Sequence, residues 1–174
     1  MLSVIVGNVS SLFAMITDSL SSSRKTAKSI LLLQTLSQIF FGTSAVILKG
    51  YSAAVQNAIS IIRNVAAVWK KDSKVIEWIL IVLAVGLGIA FNNRGFVGLL
   101  PVIANLEYSL AVLKFKNNER ALKTAFAVNT IMYVFFNAAV LNFVAVTANI
   151  VVFVTTVVFL VRDAKKEKEE KEQV

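Results

Sequence analysis

KSILLLQTLSQIFF, residues 28–41, and KTAFAVNTIMYVFF, residues 123–136, match without a gap. Lys28, Thr35, Phe40 and Phe41 recur as Lys123, Thr130, Phe135 and Phe136. Polarity is kept at two further positions, where Ser29 meets Thr124 and Gln34 meets Asn129. A shift of two residues aligns Asn8 with Asn105, and a three-residue gap aligns Asn57 with Asn149. The chain therefore reads as two copies of one apolar unit, and the question is what the unit is and what joins the copies.

Around these stretches the chain is 57% hydrophobic and 16% charged, with a mean hydropathy of +0.74. Soluble domains carry about 25% charge, so the surplus apolar surface must face lipid. Apolar segments read as helices at 2–20, 29–48, 50–69, 75–91, 96–113, 122–140 and 143–162. Each approaches the roughly 20 residues that cross a hydrocarbon core, which leaves no length for a soluble domain. The third is the most polar, because Gln56, Asn57, Arg63 and Asn64 make it amphipathic. Its tight junction with the second at Lys49-Gly50 favours a span over a surface helix.

Charge placement supports seven crossings. The breaks after helices 1, 3 and 5 and the tail after helix 7 carry Arg24, Lys25, Lys28; Lys70, Lys71, Lys74; Lys114, Lys116, Arg120, Lys123; and Arg162, Lys165, Lys166, Lys168, Lys171. These are fifteen of the eighteen Lys and Arg residues, whereas the alternate breaks hold only Lys49 and Arg94. Positive-inside loops then predict an N-terminus outside and a C-terminus in the cytoplasm, with Trp69 and Trp78 at the cytoplasmic interface. The first apolar run lacks a basic stretch before it, so it reads as a retained helix rather than a cleaved signal. The expected fold is an all-α membrane protein of seven transmembrane helices in a 3+1+3 parallel-repeat arrangement. Residues 1–69 form the first three-helix repeat, 70–94 the linker helix, 95–162 the second repeat and 163–174 a charged cytoplasmic tail continuing helix 7.

With no cysteine and no histidine, thiolate nucleophiles, disulfides, His-based triads and the usual transition-metal sites are excluded. No cofactor or metal is expected. The net charge of +8 sits in short clusters between apolar runs, which is membrane topology rather than a nucleic-acid surface. An intramembrane enzyme is not expected, because the helices lack a His, a Cys or a clustered pair of acids.

An amide in a span needs partners, so it turns toward the protein interior or a wet cavity. By helical rise, Asn8, Asn57 and Asn149 fall roughly 9–10 Å below the outer interface, and Asn105, Gln38 and Tyr133 nearer mid-depth. They either hydrogen-bond neighbouring helices or form one polar belt that contacts a neutral hydroxylated or heterocyclic solute. Arg63 and Glu107 both lie about 10 Å inside the cytoplasmic boundary, where they read as a gate, a static clasp or two independently snorkelling groups. Gly86, Gly88 and Ala90, with Ala138 and Ala139, read as close-packing positions. Pro101 either kinks helix 5 or frees a carbonyl near the cavity.

The stretch Gly98-Leu99-Leu100-Pro101-Val102-Ile103-Ala104-Asn105, together with Gly50 and the segment from Ala53 to Asn64, resembles the YgjV-type family of bacterial inner-membrane proteins. More distantly, the 3+1+3 plan resembles the SWEET, MtN3 and PQ-loop group and the PnuC-type vitamin-precursor transporters. That likeness implies carriage of a small polar solute. It also implies that Asn57 and Asn149 stand where an asparagine on the third helix of each repeat contacts sugar. The SWEET proline in both repeats is absent, since Pro101 is the only proline, so that group's hinge does not carry over.

The reading is of a small facilitator-like transporter in the bacterial inner membrane. It would move a sugar, nucleoside or vitamin precursor by alternating access between two three-helix bundles. The alternative is a non-transporting subunit or scaffold that binds another membrane protein. A homo-oligomer is compatible with either.

Overall fold

The computed structural model describes residues 1–22, 27–69, 73–115 and 118–172, and among these there are seven α-helices and no strand. They are α1 (Leu2–Ser22), α2 (Ala27–Ile47), α3 (Tyr51–Val68), α4 (Lys74–Ala90), α5 (Gly95–Phe115), α6 (Glu119–Ala139) and α7 (Phe143–Glu172). Arg24, Lys25, Lys70, Lys71 and Lys116, which were counted in the basic clusters, lie outside the described residues. Many segments are rich in Val and Ile, residues that favour strands in water. In hydrocarbon every backbone N–H needs a partner within its own segment, and a helix supplies one. Side-chain caps close two of the starts: Ile76 N–H donates to Ser73 Oγ at 3.2 Å and Ala121 N–H to Asn118 Oδ1 at 3.0 Å.

Two helical stretches, Leu2–Leu20 and Phe143–Arg162, are long and apolar enough to cross a membrane on those grounds alone, and Leu31–Ile47 and Gly95–Ala111 are shorter apolar stretches. The two long windows are only 17% and 6% buried inside the protein. A soluble core helix of that hydropathy would be mostly buried, so these apolar faces point away from the protein. The third helix misses the mark for an equally physical reason. Gln56, Ser60 and Asn64 lower its hydropathy, and all three are buried against neighbours rather than turned outward.

The helices pack as a closed ring: α1 against α2, α2 against α3, α3 against α5, α5 against α6, α6 against α7, and α7 back against α1. Helix α4 stands outside this ring, touching α3 and α5 alone among the described residues. Its Gly88 permits that approach, since a Cβ there would come within 2.6 Å of Gln56 Nε2 and 2.7 Å of a Val102 methyl. Gly86, two residues earlier, has nothing within 4 Å. Of the small residues singled out for close packing, Gly88 therefore performs that role, whereas Gly86, Ala138 and Ala139 face outward. Pro101 is fully buried inside an α5 that continues past it.

Two corners of the ring share one geometry. In the register that pairs Asn57 with Asn149, Lys49 meets Leu141 and Gly50 meets Asn142. Lys49 and Leu141 both adopt left-handed φ, 57° and 61°. Gly50 N–H closes on Ala45 O at 2.7 Å and Asn142 N–H on Asn137 O at 2.9 Å, the same Schellman-type bond in each. The α4–α5 turn reaches the first of these corners. Arg94 donates through Nε to Lys49 O at 3.1 Å and through Nη2 to Leu48 O at 2.8 Å, and Asn93 Nδ2 donates to Lys49 O at 2.9 Å. Asn8, near the start of α1, donates to Leu141 O at 2.9 Å and accepts from Val144 N at 3.0 Å. The start of α1 is thus tied to the α6–α7 corner, as the α4–α5 turn is to the α2–α3 corner. At this end Ala45, Leu48, Ala53, Phe136 and Val140 form a buried apolar cluster.

Substituting valine at Gly88 is expected to lower the thermal unfolding temperature in detergent by forcing α4 off α3 and α5, at about 1–3 kcal/mol. The same substitution at Gly86 carries the same propensity cost without the clash. A Gly88→Val variant as stable as Gly86→Val would contradict this packing.

Candidate functional site

Side chains in an apolar bundle differ in what they can satisfy alone. Thr17, Thr35, Thr43, Thr124, Thr130, Thr147, Thr155 and Thr156 each return their hydroxyl to the carbonyl four residues earlier, at 2.7–3.0 Å. A hydroxyl can be settled within one helix in this way. A carboxamide has two donors and an acceptor, and one helix turn cannot engage them all. Amides therefore need either a neighbouring helix or a polar space, and the molecule uses both solutions.

Besides Asn93 and Asn118 at the turns, Asn8, Gln56, Asn105 and Asn142 bond to protein partners. Asn8 ties α1 to the α6–α7 corner as described. Asn142 donates through Nδ2 to Ser11 Oγ at 2.8 Å and to Ser44 Oγ at 3.2 Å, while Ser11 Oγ donates to Ser44 Oγ at 2.8 Å. Gln56 Nε2 donates to Ala84 O at 2.8 Å, and its Oε1 accepts from Asn105 Nδ2 at 2.8 Å, so one side chain joins α3, α4 and α5. Asn8, Gln56 and Asn142 are thus engaged by protein partners through both nitrogen and oxygen, and Asn105 through its nitrogen alone.

The remaining polar groups converge on a cavity of about 230 Å³. Helix α2 contributes Gln38, Phe41 and Ala45; α3 contributes Ala53, Asn57, Ser60 and Arg63; and α5 contributes Asn105 and Tyr108. Helix α6 supplies Phe126, Asn129, Tyr133, Phe136 and Asn137, and α7 supplies Ala145 and Asn149, with Val140 and Asn142 from the corner between them. Among the described residues, the side chains of Gln38, Asn57, Asn129, Tyr133, Asn137 and Asn149 have no hydrogen-bond partner in the protein. Nor are their polar atoms sealed away, unlike Ser52 Oγ and Glu107 Oε2, which are buried without a partner. They face the cavity with their valences open.

The lining repeats as the sequence does. In the register of Lys28 and Lys123, Gln38, Phe41 and Ala45 fall on Tyr133, Phe136 and Val140, and all six line the cavity. In the register of Asn57 and Asn149, Ala53 falls on Ala145, and all four line it.

Of the residues expected from sequence, Asn57, Asn149, Asn105, Gln38, Tyr133 and Arg63 meet at this cavity. Asn8 does not, because its amide is spent on the α6–α7 corner. Glu107 does not line it either, and no ion pair joins Glu107 to Arg63 among the described residues. Asn129, Asn137, Ser60 and Tyr108 are additions. Helical spacing contains the missing signal, since Asn129, Tyr133 and Asn137 lie four apart on one face of α6, and Ala53, Asn57 and Ser60 share a face of α3.

A model of the bacterial inner membrane protein family Imp-YgjV matches residues 4–167, nearly the whole chain. The chain belongs to the Imp-YgjV family. A bacterial inner-membrane location fits this Imp-YgjV protein, and its outward apolar faces agree with it. No curated protein and no solved structure matches the chain, so the likeness to the SWEET and PnuC groups rests on sequence pattern alone.

Adjacent residues of α3 give opposite expectations. Gln56→Ala is expected to destabilise the protein by about 1–3 kcal/mol, because it strands the Asn105 amide and the Ala84 carbonyl. Asn57→Ala is expected to leave stability within about 0.5 kcal/mol, since no protein group loses a partner. Thermal unfolding of both variants in one detergent checks this; equal losses would mean that Asn57 is also a structural amide.

Proposed function

We propose that this Imp-YgjV protein is a small facilitator-like transporter that carries a small polar solute by alternating access. The two moving units are α1–α3 and α5–α7, a 3+1+3 arrangement of seven spans in which α4 restores the orientation of the second unit. On this reading the N-terminus is outside and the C-terminus cytoplasmic, in keeping with the basic residues of the odd-numbered breaks and the tail. The protein is read as a binder and carrier, not an enzyme.

The observation that carries the proposal is the set of six unpartnered polar side chains facing one cavity, drawn from both sequence repeats. A packing role would have given those amides protein partners, as Gln56 and Asn142 have. Parallel repeats with a site at their interface are an arrangement built by carriers. The closed end supports the same reading, since the apolar cluster around Phe136 and the Ser11, Ser44 and Asn142 bonds seal the cavity where the even-numbered turns meet. On the other side, one smaller pocket shares Ser60, Arg63, Asn105 and Tyr108 with it. One end shut and the other approached is what a single state of an alternating carrier requires.

Purified protein in liposomes is expected to accumulate at least one labelled member of a panel of sugars, nucleosides and vitamin precursors. Asn57→Ala and Asn149→Ala are expected to cut that flux about tenfold or more without lowering the unfolding temperature. Absence of flux across the panel, together with a stoichiometric membrane-protein partner recovered at native abundance, would replace this reading with that of a non-transporting subunit.

A further inference from the structure

The cavity carries a single formal charge. Among the described residues Arg63 lines it, and no carboxylate does. Glu77 on α4 borders the smaller adjoining pocket of about 90 Å³ that Arg63 also borders. Neither Glu77 nor Glu107 forms an ion pair with Arg63, and Arg63 has no hydrogen-bond partner among the described residues. Tyr133 lines the same space from α6. Arg63 is itself exposed, so its guanidinium is open to a ligand that enters the cavity, and it presents a planar fork that matches a carboxylate.

The walls add a second constraint. Phe41, Tyr108, Phe126, Tyr133 and Phe136 all line the cavity, so rings meet the solute from α2, α5 and α6. Flat apolar faces suit the stacking of a planar ring. The charge count limits the anion as well. One cation neutralises one negative charge, and the other polar groups are neutral amides and hydroxyls, so a doubly charged phosphate ester would leave net charge in a low-dielectric site.

Within the carrier reading, we propose that the solute is a small flat monocarboxylate. Its carboxylate pairs with Arg63, its ring lies among the aromatic walls, and its remaining polar atoms meet Asn57 and Asn149.

The test uses matched pairs with the same ring and different charge: nicotinate and nicotinamide, benzoate and benzamide, orotate and uracil. Each compound is titrated against the purified full-length wild-type chain in detergent, with binding read by equilibrium titration and by thermal shift. In at least one pair the carboxylate is expected to bind about tenfold or more tightly than its neutral partner. Arg63→Gln is expected to abolish that preference while leaving affinity for the neutral partner within about twofold. Asn57→Ala is expected to weaken both members alike. Should Arg63→Gln fail to fold, Arg63→Lys retains the charge without the fork and is expected to keep part of the preference. The wild-type comparison also stands without any variant. Neutral members binding as tightly as the acids, or a preference that survives Arg63→Gln, overturns the anion assignment and leaves the carrier reading intact. Flux of sugars or nucleosides in liposomes with no binding of any carboxylate overturns the assignment alone. No binding and no flux overturns both.

Discussion

A carboxamide in an apolar bundle has two N–H donors and a carbonyl oxygen with two lone pairs, and no single helix can fill them. The threonines show the contrast. Each closes its hydroxyl on its own helix, so α7 can keep Thr155 and Thr156 while exposing Val151, Val154 and Val158. The amides have no such local solution. Some are therefore taken up as ties between helices, and the rest turn toward a common space. Ring closure is in keeping with this, because the helices that line that space, α2, α3, α5, α6 and α7, keep the unpartnered amides off the apolar exterior.

The two solutions are kept apart by only one position in α3. Gln56 is almost completely buried and holds α4 and α5 to α3, whereas Asn57 faces the cavity. Helix α4 owes its place outside the ring to Gln56 and Gly88 together. The glycine brings the backbones close enough for the Gln56 amide to reach the Ala84 carbonyl. At the closed end the equivalent corners Lys49-Gly50 and Leu141-Asn142 differ in one useful respect. Gly50 has no side chain, which lets the Phe136 ring sit against it, and Asn142 uses its side chain to bind Ser11 and Ser44. Duplicated geometry thus seals the cavity with different chemistry on its two sides.

Much of this was legible in the sequence. Hydropathy located six helices to within a few residues and the start of the seventh, whose last ten residues, to Glu172, belong to the charged tail read as its continuation. The match of residues 28–41 with 123–136 foreshadowed the paired lining positions of α2 and α6, and Asn57 with Asn149 foreshadowed those of α3 and α7. Depth was a poorer guide than face. Asn8 lies at the same estimated depth as Asn57, yet its neighbours in space are the Leu141 carbonyl and the Val144 amide, which helical rise does not reveal. Arg63 and Glu107 share a depth for the same reason without sharing a contact. The residues overlooked on α6, Asn129 and Asn137, were concealed by treating amides singly; their spacing around Tyr133 marks one face.

The central claim is that the unpartnered amides border a space that water enters while the outward apolar faces do not. The chain has no cysteine, so single cysteines can be introduced without a background. Asn57→Cys, Asn149→Cys and Asn137→Cys on the cavity side are set against Val151→Cys and Ile5→Cys on the outward side, in protein reconstituted into bilayers. The decisive measurement is their rate of reaction with a charged, membrane-impermeant thiol reagent. The account predicts labelling of the cavity set at least tenfold faster than the outward set. Equal rates in the two sets, or protection of all three cavity positions, would contradict it.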